Sequence, residues 1–174
     1  MTRDPGALQG YSFMGPLATI SDPGIFRTWM DDQDYIERLA QSSDPLVAAN
    51  KKVAIYFQRD LARLVAGGRV AEGIDALLEK YMAEDYRQHD AHLTNGRAPL
   101  ADFFKMASGA GIDLWPPMPV CVLVDDDIVA LLLQAETPDG AEKFIPTVFR
   151  VKGGMMTEHW SNAAPPSQPP HAAE

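Results

Sequence analysis

At 174 residues, 46% of them apolar, the chain has the length of one domain and the composition of a folded protein with a core. A formal charge of −9 argues against a nucleic-acid partner, which requires a basic stripe, and against an anionic membrane surface. No stretch reaches the roughly 18 apolar residues of a membrane span, the single cysteine, Cys121, excludes an internal disulfide, and the start MTRDPGALQG has no apolar signal-peptide core, so a cytoplasmic location is expected.

Residues 1–47 form an N-terminal extension unlike the rest. DPG occurs at 4–6 and again at 22–24, and Pro16, Pro23 and Pro45 interrupt any long periodicity. Between them, Asp31 to Ser42 predicts one short helix with an acidic first turn and an apolar side of Tyr35, Ile36 and Leu39. Phe13, Phe26 and Trp29 are too many aromatics for a solvated leader, so the segment is expected to pack on the domain or on a partner subunit.

The main domain is expected over 48–163. From Ala48 to Ala66, Val53, Tyr56, Phe57, Leu61, Leu64 and Val65 recur at three- and four-residue steps, and Gly67-Gly68 ends the helix they predict. A second helix is expected from Arg69 to about Tyr81. The polar passage MAEDYRQHDAHLTNGR follows, closing on the turn signal Asn95-Gly96. A third helix, from Ala98 to about Ser108, carries Pro99 in its first turn.

Four strands in hairpin succession then fill 120–162. The tip Asp125-Asp126-Asp127, the pair Asp139-Gly140 and the pair Gly153-Gly154 are the turns between them. Pro146 lacks an N–H and implies an edge or a bulge. The Pro- and Ala-rich tail 164–174 is expected to be disordered. Helices followed by a run of hairpins predict an α+β domain with one curved antiparallel sheet.

Taken in order, Tyr86-Arg87-Gln88-His89, Asn95-Gly96-Arg97, Phe103-Phe104, Phe149-Arg150-Val151 with Gly154, and Glu158-His159-Trp160 resemble the SnoaL-like branch of the NTF2-like superfamily, across residues 50 to 163. The resemblance implies a cone: three helices against a curved antiparallel sheet, enclosing a pocket open at one end. It implies polyketide cyclase, isomerase or dehydratase (lyase) chemistry with no metal and no organic cofactor, on a small hydrophobic molecule, and a homodimer formed through the sheet. Many members of the superfamily only bind ligands or dimerise, so the fold does not settle the function. The family often follows Glu-His-Trp with an aspartate. Here that residue is Ser161, which leaves histidine, or Asp90 displaced from the usual place, to carry a proton.

His89, His159 and Asp90 are therefore the expected catalytic residues. Two imidazoles over an apolar cavity would remove one proton and deliver another, as enolisation requires. The competing reading makes each a structural histidine. A metal set of His89, Asp90 and His92 has spacings that rarely converge on one ion, and no metal is expected. Tyr86, Gln88, Phe103, Trp115, Phe149 and Trp160 are the expected substrate contacts, with Trp115, held by Pro116 and Pro117, roofing the mouth. In the last strand Glu158 and Trp160 share one face and His159 takes the other, and Arg150 is placed to pair with Glu158.

Overall fold

The computed structural model describes residues 11–13, 25–90, 93–112, 114, 117–136 and 142–161. Short strand β1 (Tyr11–Phe13) comes first, then α1 (Ile25–Thr28), a 3-10 turn (Trp29–Asp31) and α2 (Gln33–Ala40). The two long helices α3 (Pro45–Ala66) and α4 (Val70–Tyr81) follow, then β2 (Met82–Gln88) and α5 (Arg97–Gly109). Four strands close the chain: β3 (Met118–Asp125), β4 (Ile128–Glu136), β5 (Glu142–Lys152) and β6 (Met155–Ser161). The helix predictions hold to within a few residues at each end, and α2 and α3 are started by side-chain caps. The Asp32 carboxylate accepts the Tyr35 N–H at 2.9 Å and starts α2. Asp44 accepts from the N–H groups of Leu46 and Val47, with Pro45 in the first helical position of α3.

The six strands form one open sheet in the order β1-β3-β4-β5-β6-β2. The four hairpin strands pair antiparallel as expected. The outermost pair departs from the expectation: β2, anticipated as a polar passage, joins β6 in parallel. The Asn95-Gly96 turn fastens its end. Asn95 Oδ1 accepts the Gln88 N–H at 2.9 Å, and the Gly96 N–H donates to the Tyr86 carbonyl at 2.8 Å. Gly96 sits at φ 100°, a conformation a side chain would strain. Pro146 lies mid-strand in β5, opposite Leu132. β5 is an interior strand and its bulge against β6 lies at Arg150 and Val151, so Pro146 is at neither the expected edge nor a bulge, although no described residue of β6 stands opposite it, the last described pair being Thr147 with Ser161.

One face of the sheet carries Val129, Leu131, Leu133, Phe149 and Val151, all buried, and α3 lies across it. Phe57 of α3 meets the Phe149 ring edge-on at 6.2 Å and the Tyr81 ring of α4 at 5.9 Å. The N-terminal segment belongs to the same core: Trp29, Ile36 and Leu39 are fully buried, and the Tyr35 hydroxyl donates to the Pro119 carbonyl at 2.8 Å. The opposite face exposes Leu123 and Phe144. A bulge between Arg150 and Val151 leaves Thr157 with no β5 residue opposite it in the register, so Met156, not Met155, turns to the buried side. Trp115, His92, the Asp139-Gly140 turn and the tail 164–174 lie outside the described residues.

Candidate functional site

Strand register sorts the candidate residues onto two faces. Phe149 stands opposite His159, Thr147 opposite Ser161, and Gln88 opposite His159, so these five side chains share the face beneath α3. Arg150 stands opposite Glu158 and Val148 opposite Trp160, on the other face. His89 follows Gln88 and turns outward.

On the outer face the His89 Nε2–H donates to Glu158 Oε2 at 2.8 Å, and the imidazole stacks on Trp160 at 4.5 Å, nearly parallel. Arg150 Nε donates to Glu158 Oε1 at 2.8 Å, and its Nη1 donates to both carboxylate oxygens of Asp127 at 2.8 and 2.9 Å. The expected Arg150–Glu158 pair is thus present, inside a larger network. The hydrogen bond from His89, followed by the charge of Arg150, holds the Glu158 carboxyl below its ordinary range. Hydrogen bonds from Arg150 do the same for Asp127. Such exposed pairs contribute little stability.

His89 is therefore exposed and does not meet His159 over one cavity, and Trp160 stands with His89 rather than with the buried face. The strand alternation that separates Glu158 from His159 separates the two histidines as well.

On the inner face, His159 stacks on Phe149 at 4.7 Å. Gln88 Nε2–H donates to His159 Nδ1 at 3.1 Å, and His159 Nε2 lies 2.6 Å from Thr147 Oγ1. Gln88 Nε2 also donates to the Tyr86 hydroxyl at 3.3 Å, while its Oε1 accepts the Asp90 backbone N–H at 3.1 Å. Burial pulls the His159 pKa from 6.5 down to about 4 against the opposing charge of Asp90, with His89 adding a smaller push in the same direction as burial, so its ring is neutral at pH 7. Burial also raises the Tyr86 phenol well above its usual value.

Asp90 reaches the same face. Its Oδ2 accepts from the Ser161 hydroxyl at 3.3 Å, and Ser161 lies one step along the face from His159. Phe103 of α5 is partly buried against the core. The structure thus gathers Tyr86, Gln88, Asp90, Phe149 and His159 and leaves His89 and Trp160 outside. Sequence reasoning missed Thr147. The only available signal was its two-residue step from Phe149, which any strand threonine can show.

No group of three metal-binding side chains forms among the described residues, and no described helix is long and apolar enough to cross a membrane. No family model matches the chain. No match among curated proteins was found either. Among solved structures, the chain is similar to an NTF2-like protein from Anabaena variabilis ATCC 29413, at 15% identity and TM-score 0.47, over 67% of this chain and 91% of that one. It is similar to a protein described as a SnoaL-like polyketide cyclase from Jannaschia sp. CCS1, at 17% identity and TM-score 0.41, over 70% and 91%. It is also similar to a de novo designed protein with a curved β-sheet, at 15% identity and TM-score 0.46, over 64% and 81%. These likenesses are of architecture.

Proposed function

We propose that the chain is a cofactor-free acid–base enzyme acting on a small hydrophobic carbonyl compound, with Asp90 as the proton carrier. One observation carries the reading: the Asp90 carboxylate meets Ser161 on the His159 face, where the resembled family often places an aspartate on the strand itself. The carboxylate comes instead from the end of β2. In the step this permits, Asp90 takes a hydrogen from the carbon beside the carbonyl. The C–H electron pair becomes a C=C bond, and the carbonyl π pair moves to oxygen, giving an enolate. Cyclisation, isomerisation and dehydration share that intermediate. His159 is neutral with both ring nitrogens engaged, so its role is to orient neighbours rather than to accept the proton.

The competing reading is a binding module without turnover, favoured by the outward His89 and by the full occupation of His159. Proton exchange separates the two. In D2O, the wild type is expected to exchange the activated methylene hydrogens of 2-tetralone faster than buffer does, and Asp90→Asn should lower that rate by about 10²-fold or more. Tight binding of 2-tetralone with exchange no faster than buffer would select the binding module.

A second copy of the chain is expected against the outer sheet face, where Leu123 and Phe144 are exposed. Sedimentation equilibrium should give twice the chain mass for the wild type and one chain mass for a Leu123→Glu, Phe144→Glu double variant. A monomeric wild type would remove the dimer.

A further inference from the structure

The inner face carries a hydrogen-bond chain whose direction is fixed. The Asp90 backbone N–H can only donate, so the Gln88 atom it meets at 3.1 Å must be the carbonyl oxygen. The Gln88 amide nitrogen then points the other way, with one hydrogen for the Tyr86 hydroxyl and one for His159 Nδ1. His159 Nδ1 is thereby an acceptor, and in a neutral imidazole the proton must sit on Nε2. Nε2–H donates in turn to Thr147 Oγ1, at 2.6 Å. Tyr86 and Thr147 each receive a hydrogen bond at oxygen and each keep a hydroxyl hydrogen to give. Among the described residues neither hydroxyl has an acceptor for that hydrogen, although Tyr86 is 0% and Thr147 4% exposed. Buried donors without an acceptor are costly and call for a partner.

We propose that Tyr86 and Thr147 present these two hydrogens to acceptor oxygens of the ligand, so that the site selects a carbonyl-bearing, hydrogen-bond-accepting molecule over a hydrocarbon of the same shape. The inference deepens the acid–base reading and rests on it for the place of the ligand. Thr147 stands directly opposite Ser161, the residue that Asp90 touches. A carbonyl oxygen on Thr147 would thus bring the neighbouring carbon toward the Asp90 carboxylate. The Gln88–His159 pair positions both donors without touching the ligand.

The test uses nitrogen-15 NMR of the imidazole and the binding of two probes, 2-tetralone and its hydrocarbon analogue tetralin. At pH 7 His159 should appear as the neutral tautomer protonated at Nε2. The 2-tetralone carbonyl carbon should move downfield on binding, and 2-tetralone should bind about fivefold or more tightly than tetralin. Thr147→Val and Tyr86→Phe should each reduce both effects, with tetralin affinity unchanged, and Thr147→Ser should restore them. An imidazolium or an Nδ1–H tautomer at pH 7 overturns the proposal. So does equal affinity for the two probes, a carbonyl signal that neither substitution moves, or failure of 2-tetralone to bind up to its solubility. If 2-tetralone binds as expected and exchanges no hydrogen, the donor wall stands and Asp90 loses its assignment as proton carrier.

Discussion

Replacing Trp29 by alanine is expected to lower the melting temperature by more than about 10 °C. The residue lies outside the periodic helices of the main domain, in a segment punctuated by prolines, yet it is 0% exposed. It packs in one apolar cluster with Phe26, Met30, Ile36 and Leu39, continuous with Ile55 and Leu61 of α3. Truncating such a buried tryptophan costs about 3–5 kcal/mol, and in a chain of this size each kcal/mol moves the midpoint by about 2–4 °C. Polar anchors fix the same segment. The Lys51 ammonium is fully buried and donates to the Gln41 carbonyl at 3.1 Å, its pKa lowered by that burial. Trp29→Phe is the informative control. Among the described residues the indole N–H has no hydrogen-bond partner, so phenylalanine loses area but sheds an unmatched donor and should cost far less. Differential scanning calorimetry of the two variants decides the matter. A small shift for Trp29→Ala would mean that the segment rests on the domain without sharing its core.

The helices were legible because their apolar positions repeat locally and because Gly67 and Gly96 mark two of their ends, whereas the Asp44-Pro45 cap starts α3 three residues ahead of the expected Ala48. The hairpins were legible for the same reason, each strand lying next to its partner in the chain. β2 was not. MAEDYRQ alternates poorly, with two exposed acidic residues in sequence, and its partner β6 lies some seventy residues away, in parallel. Without that strand the facing of Gln88 and His89 had no basis in the residues, and the two histidines were placed over one cavity. Register within β6 was legible: Glu158 and Trp160 on one face, His159 on the other, with Arg150 reaching Glu158. The bulge at Thr157 was not, since nothing in MMTEHWS distinguishes a bulged strand from a regular one. The approach of Asp90 to Ser161 and of Thr147 to His159 depends on three strands at once, and no local pattern encodes it.

His159 should make the fold acid-labile well above the range where most carboxylates titrate. Its pKa is about 4 in the folded chain against 6.5 for an unperturbed imidazole. Between those values the unfolded chain binds a proton that the folded chain refuses, so stability is full above about pH 6.5 and falls as pH falls toward 4. With 1.36 kcal/mol per pKa unit, the whole window amounts to about 3 kcal/mol. Glu158 and Asp127 have the same sign, since their folded carboxyls are held below their ordinary values, but they act lower, as pH drops beneath those ordinary values. Asp90 and His89 are the charged neighbours that His159 feels, the first favouring its cation and the second opposing it. Melting temperatures measured from pH 7 to 4.5 should therefore drop by roughly 5–10 °C in the wild type. His159→Gln keeps a donor toward Thr147 but cannot titrate, so it should start from a lower midpoint and stay nearly level across the same range. A His159→Gln curve parallel to that of the wild type would show that the ring is not held neutral by burial, and the direction of the hydrogen-bond chain through Gln88 and Thr147 would fall with it.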